Sequence, residues 1–154
     1  MITREVDYAI RTVLALAKRD ANATAAATAD LAKEADIPFR FLRRIVRKLV
    51  EGGILTSQRG NGGGVKLTRG ADAISLLSVI HAVDSRSTKL NLCTISTANC
   101  PRSGRCRVHQ ELFALQTLLQ SKLEQIAINQ LLLEPLEEGC PQDVTGETAA
   151  TSDP

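Results

Sequence analysis

Aromatic side chains are scarce in this chain: they make up 3% of its 154 residues, with no Trp, one Tyr and three Phe. A core must therefore come from Leu, Ile, Val and Ala, which the 44% hydrophobic fraction supplies. Long apolar runs are missing too. None approaches the roughly 20 residues needed to span a bilayer. The opening MITREVDYAI places charges where a secretory signal would carry its apolar stretch, so a cytoplasmic protein without membrane contact is expected. The length suits one ordinary domain with a helical extension and leaves little room for a second, catalytic one. No paired carboxylates, nucleophile-base arrangement or cofactor loop stands out, and an enzyme is not expected.

Charge is present but unevenly placed. The formal net charge of +2 conceals a basic first part and an acidic end. Residues 1–109 hold 18 Lys or Arg against nine Asp or Glu, a net of +9, whereas residues 110–154 hold one against eight, a net of −7. Between residues 38 and 69, eight positive side chains meet a single acid, Glu51. So one-sided a surface is a candidate for a polyanion.

Periodicity places that charge on a recognisable scaffold. Residues 2–19 predict a helix, because Val6, Ile10, Val13, Leu14 and Ala17 recur at the three-and-four spacing of one face. The small residues from Asn22 to Thr28 read as a loop, and Thr28 is placed to cap a short helix through Ala35 with Leu31 and Ala32 inward. Pro38 suits the first turn of a third helix, whose expected buried stripe is Phe41, Leu42, Ile45, Val46 and Leu49, up to Gly52-Gly53. Ile54-Leu55, the polar Ser57-Gln58-Arg59, the run from Gly60 to Gly64 and the alternating Val65-Lys66-Leu67 predict a hairpin. Two short helices followed by a basic hairpin make a winged helix-turn-helix. Residues 75–83 predict a further short helix, and a long one is expected from about His109 toward Ile126. Its stripe is Leu112, Leu115, Leu119, Leu123 and Ile126, broadened by Phe113 and Leu118. Asn129 is placed to cap one more turn before Pro135, and the small, polar, acidic tail beyond is expected to be disordered. The fold expected is thus mainly α.

On the plainest reading the arginines form a solvated helix face. The hairpin beside them favours duplex DNA instead, since guanidinium groups match phosphates and guanine edges and a major groove admits one helix. Arg40, Arg43 and Arg44 lie toward the entering end and are candidates for base edges, while Arg47 and Lys48 suit the phosphate backbone. Arg59, beside glycine, suits a narrow minor groove. A phosphate-cofactor loop is the rival reading of GNGGG, but the run lacks a Walker Lys-Ser/Thr and the GxGxxG spacing.

Six and five residues separate Cys93, Cys100 and Cys106, and two separate Cys106 from His109. Thiolates and imidazole suit iron-sulfur, zinc or copper, and the spacing does not choose among them. Disulfides are disfavoured in a cytosolic setting, which leaves buried or redox-reactive thiols as the rival. Arg102, Arg105 and Arg107 would offset the negative charge of a thiolate site. A fourth donor is available locally in His109, or at a distance from a carboxylate of another subunit, Asp7 or Glu5. More plainly, His109 is a polar contact on the long helix and Asp7 a helix-start acid. Cys140, beyond Pro135, is left outside the site.

The opening ITREVDYAIR, the stretch FLRRIVRKLVEGGILTSQRGNGGGVKL, the segment ISLLSVIHAVD and the cysteine trio before a long helix resemble the Rrf2 family of bacterial winged-helix regulators over about residues 1–133. The resemblance implies a homodimer joined through the long helix, with two winged helices on the half-sites of a palindromic operator. It also implies an iron-sulfur cluster on Cys93, Cys100 and Cys106. With His109 the pattern looks like the cluster-biogenesis branch, in which a histidine completes a [2Fe-2S] site. Asp7 looks like the carboxylate that completes a [4Fe-4S] site from the other subunit in the nitric-oxide-sensing branch. The six-residue first gap departs by one from both branches; His109 is preferred as ligand and the nuclearity stays open. The expected plan is a DNA-binding domain over 1–84, a cluster-binding segment over 85–108, a dimerisation helix and short terminal helix over 109–134, and a tail over 135–154. The function expected is a sequence-specific transcription regulator, such as a repressor, that senses cluster status, redox state or nitric oxide. A cluster-free regulator using the cysteines for thiol redox sensing or zinc is the alternative.

Overall fold

A threonine side chain starts the first helix: Thr3 Oγ1 accepts the Val6 N–H at 3.4 Å. Helix α1 (Arg4–Lys18) then buries Val6, Ala9, Val13 and Leu16 along one face. The computed structural model describes residues 3–19, 25–60, 63–90 and 106–133.

Helix α2 (Thr28–Glu34) buries Leu31 and Ala32 as expected, but Thr28 is its first helical residue and not its cap. The cause lies one residue upstream of the cap position, Ala27. Ala26 exchanges both backbone hydrogen bonds with Val65, at 2.8 and 2.9 Å, so the chain is pinned before it enters the helix. The stretch read as a plain loop thereby contributes a bridge to the hairpin. Helix α3 (Phe39–Glu51) follows, with Pro38 at its N-cap, one position earlier than expected.

Leu42, Ile45 and Leu49 of α3 are buried and Val46 is half-buried, whereas Phe41 is 41% exposed. Position 41 sits at the edge of the apolar stripe, beside the first turns of α1, where Tyr8 covers one side of its ring at a centroid distance of 6.2 Å. The helix stops at Gly52-Gly53. With φ +71 at Gly53, its N–H reaches Val50 O at 3.0 Å and the Ile54 N–H reaches Leu49 O at 2.9 Å, a closing pattern that uses glycine's freedom in the left-handed region.

Strands β1 (Leu55–Gln58) and β2 (Gly64–Leu67) pair antiparallel, with Leu55 opposite Leu67 and Ser57 opposite Val65. A Cβ at Gly64 would lie 2.2 Å from Ala26 O, so the bridge to Ala26 requires glycine there. A short 3-10 turn (Ala71–Ala73) leads to α4 (Leu76–Asp84), capped by Ser75 Oγ, which accepts the Ser78 N–H at 3.2 Å.

Helix α5 (Arg107–Gln125) begins two residues earlier than expected, with Cys106 at its N-cap. Its far end returns to the body of the fold: Leu76 N–H bonds Ile126 O at 2.8 Å and Ile128 N–H bonds Ile74 O at 2.9 Å. Ile128 is fully buried in the common core with Leu31, Leu42, Leu49 and Ile74. A last short helix, α6 (Gln130–Leu133), follows. Asn129 does not cap it by side chain, since its Oδ1 has no partner among the described residues.

The apolar stripe of α5 is only partly packed. Leu112, Leu123 and Ile126 are half-buried, while Val108, Phe113, Leu115, Leu118 and Leu119 are exposed, and the one fully buried residue is Gln116. Helix α4 packs against α5, whose polar side also reaches Thr88 through Gln120 and Ser75 through Glu124, while among the described residues these five apolar side chains stay exposed. Among the described residues, no helix is long and apolar enough to cross a membrane. The architecture is mainly α, a winged helix-turn-helix extended by a long C-terminal helix.

Candidate nucleic-acid interface

The buried stripe of α3 turns the intervening positions outward, and four of them are arginine. Arg40, Arg43, Arg44 and Arg47 are all exposed. Their surroundings differ. Arg44 pairs with Glu5 Oε1 at 3.1 Å, and Arg47 with Glu51 Oε1 at 2.8 Å. Arg43 has no ion pair among the described residues; it lines an open cleft of about 370 Å³ with Thr28, Val46, Arg47, Val50, Glu51 and Ser57. That cleft lies between α3 and the first strand of the wing. The Arg40 guanidinium sits 5.1 Å from the centroid of the Phe41 ring, a cation-π arrangement that holds it near the start of the helix.

Lys48 is placed otherwise than its sequence position implied. Its Nζ donates to Glu5 Oε2 at 2.6 Å and to Val83 O at 3.1 Å, and its side chain is 28% exposed. It ties α1 and the last turn of α4 to α3. Arg59 is exposed directly after β1, followed by Gly60; Asn61 and Gly62 lie outside the described residues. Lys66 and Arg69 add exposed positive charge after the turn.

Of the cysteine trio, Cys93 and Cys100 lie outside the described residues, as does Cys140. Cys106 is half-buried, its sulfur is not in a disulfide, and it makes no side-chain cap bond to α5. His109 stands at the third helical position, the place that an N-cap side chain faces in a capping box, and its ring stacks on Phe113 at 6.2 Å. A thiol and an imidazole placed at one helix start are chemically compatible donors for an iron-sulfur or zinc site. Asp7 is occupied differently: its two oxygens meet Arg11 of the same helix at 3.2 and 3.0 Å. Glu5 is taken up by Arg44 and Lys48. Among the described residues, no three potential metal ligands come together.

Two features escaped the sequence reading. Glu5 neutralises part of the recognition helix, a role foreshadowed by an acid in the first turn of α1 facing a segment with one acid of its own. The start of α3 also exposes Phe39, at 49%, as well as Phe41. Two of the chain's three Phe within three residues, among arginines, was the available signal.

A sequence profile of the Rrf2 family, described as an iron-dependent transcriptional regulator, matches residues 2–134. The HTH-type transcriptional regulator IscR of Vibrio cholerae is 32% identical over 120 residues, covering 75% of this chain and 67% of that protein. The HTH-type transcriptional repressor NsrR of Streptomyces coelicolor is 23% identical over 134 residues, covering 87% and 89%. In fold, the chain is similar to CymR, the global cysteine regulator of B. subtilis, with a TM-score of 0.69 and 18% identity over 85% of this chain and 95% of that one. It is also similar to T. potens IscR, with a TM-score of 0.65 and 16% identity over 86% and 85%.

Proposed function

This chain belongs to the Rrf2 family of transcription regulators, and from that premise we propose that it binds a palindromic DNA operator as a cytoplasmic homodimer and answers to an iron-sulfur cluster held by its cysteines. The observation that carries the DNA reading is the cleft with Arg43 and Arg47 on the helix side and Ser57 on the wing side, because a helix in the major groove and a wing on the adjacent backbone need a common face. In this reading Arg40 and Arg43 address base edges. Arg47 exchanges its exposed partner Glu51, and Arg44 its half-buried partner Glu5, for phosphates, and Arg59 enters the minor groove. Lys48 serves the fold more than the duplex.

For the sensing part, Cys93, Cys100 and Cys106 are the proposed cluster ligands, with His109 as the fourth donor for a [2Fe-2S] site. The partner subunit's Asp7 is the alternative, for a [4Fe-4S] site. His109 is favoured because, among the described residues, its ring nitrogens make no hydrogen bond, whereas Asp7 is paired with Arg11. A bound cluster supplies a centre reactive toward oxidants and nitric oxide. The protein's own part is geometric: the cysteine segment joins the end of α4, where Lys48 grips Val83 O, to the start of α5. Ordering that segment biases the recognition helix through that grip. A preference of about 2–3 kcal/mol for one geometry changes occupancy by tens-fold or more.

The test is anaerobic purification, an optical spectrum with iron and sulfide counts, and titration against duplexes selected from a random pool. A brown protein whose duplex affinity changes when the cluster is removed is the expected result. A colourless, iron-free chain with intact duplex affinity replaces the cluster by thiol sensing or zinc. No duplex preference over background, even at low salt, overturns the whole reading.

A further inference from the structure

The first turn of α3 presents an apolar group where a base-reading helix normally presents polar ones. Phe39 is the first helical residue and is 49% exposed. The Pro38 N-cap, with φ −56, precedes it and fixes the direction in which the helix begins. Phe41 is engaged: Tyr8 packs against it and Arg40 lies over it. Phe39 has no ring contact among the described residues. It stands free beside Arg40, one helical turn from Arg43, in the stretch where eight positive side chains meet a single acid. That charge selects a polyanion, and not a protein surface, as what covers it.

We propose that Phe39 is a specificity-determining residue that packs on the C5-methyl group of one thymine in each operator half-site. This rests on the DNA reading above and goes beyond it. Residues at the N-terminal end of a recognition helix reach base edges, and among the major-groove features of the four bases only the thymine methyl rewards an apolar side chain. Phe39 leaves water when it docks, while Arg40 and Arg43 on the same turn supply polar readout beside it. The chain would therefore require a thymine next to the bases its arginines address, a preference that cations alone do not give.

The experiment uses the full-length protein and the operator selected from a random duplex pool. Each thymine of a half-site is replaced in turn by deoxyuridine, which lacks only the methyl group. Wild type is expected to lose about four-fold in affinity at one position, the factor that burial of one methyl-sized group carries. F39A should bind the thymine duplex as weakly as wild type binds the deoxyuridine duplex, with no thymine preference left at that position. F39L, which keeps an apolar reach, should retain part of it, and both variants should keep the wild-type salt dependence. Insensitivity of wild type to every replacement, or an undiminished thymine preference in F39A, overturns the inference while leaving the DNA reading intact. If no duplex is enriched from the pool, the DNA reading and this inference fall together.

Discussion

Arg43 and Arg47 stand one turn apart on α3, yet their surroundings give them different work. The Arg47–Glu51 pair has side chains 81% and 60% exposed, and such a pair on a helix surface contributes only about 0.3–0.5 kcal/mol, so a phosphate displaces Glu51 readily. Arg43 reaches the cleft without an internal partner among the described residues. Arg43→Ala is therefore expected to cost about 1–3 kcal/mol on the selected operator and to relax the preference at one base pair. Arg47→Ala should weaken all duplexes alike and lower the salt slope by about one per subunit; titrations of cognate and scrambled duplexes at several salt concentrations separate the two. Gly64 tests the fold at the same scale. With its added Cβ 2.2 Å from Ala26 O, Gly64→Ala must break the bridge to Ala26. It should destabilise the chain by about 1–3 kcal/mol through strain and lost hydrogen bonds, read as a lower Tm in a circular dichroism melt. An unchanged Tm would mean that this approach is not rigid.

Between elements, Lys48 is the joint. Its ammonium holds Glu5 of α1 and the Val83 carbonyl of α4, three helices meeting at one partly buried cation. Lys48→Met keeps the aliphatic stem and removes the charge, leaving Val83 O without this donor. A loss of about 1–2 kcal/mol is expected by urea denaturation, with a smaller fall in duplex affinity than Arg43→Ala causes. A fall as large as that of Arg43→Ala would return Lys48 to the phosphate backbone. The helices themselves were legible because a 3.6-residue period survives in any order of neighbours: Leu31, Leu42, Ile45 and Leu49 are buried as their spacing foretold. What the period does not encode is where a neighbour ends. Phe41 has helical spacing but reaches the edge of α3, where Tyr8 and Arg40 cover its ring only in part. The Ala26–Val65 bridge is a single residue pair, too short to leave an alternation in the sequence. Gln116 is buried on a helix that packs against α4, and burial set by tertiary contact leaves no local pattern. The basic face of the candidate site was readable from composition, whereas its division into free and internally paired cations required Glu5, some 40 positions away. For the cysteine site, Cys106, His109, Asp7 and Glu5 of the named candidates fall within the described residues, and Cys93 and Cys100 do not.

At the scale of the whole molecule, the uncovered side of α5 and the basic face of α3 belong to one argument. Val108, Leu115, Leu118 and Leu119 are 63, 54, 58 and 39% exposed, and the spacing of Leu115, Leu118 and Leu119 puts them on one face of a helix about 28 Å long. In the proposed homodimer a two-fold axis along this face would bury it against itself, and a palindromic operator would require the two α3 helices to lie roughly 34 Å apart, the separation of successive major grooves on one side of a duplex. One subunit offers few phosphate contacts; two offer twice as many at the cost of one association. The double variant Leu115→Glu and Leu118→Glu places like charges on that axis and is expected to give a monomer by light scattering, with a lower Tm that no longer depends on protein concentration. Its affinity for the palindromic operator should fall by about 100-fold or more, the advantage that a second tethered site supplies. Affinity for a single half-site should hold. With Arg44 and Arg47 on phosphates in each subunit, the wild-type slope of log K against log salt is expected to be about −3.6 and that of the monomer half of it, about −1.8. A variant that stays dimeric, or a monomer that keeps the full slope, would place the dimer axis elsewhere than on α5.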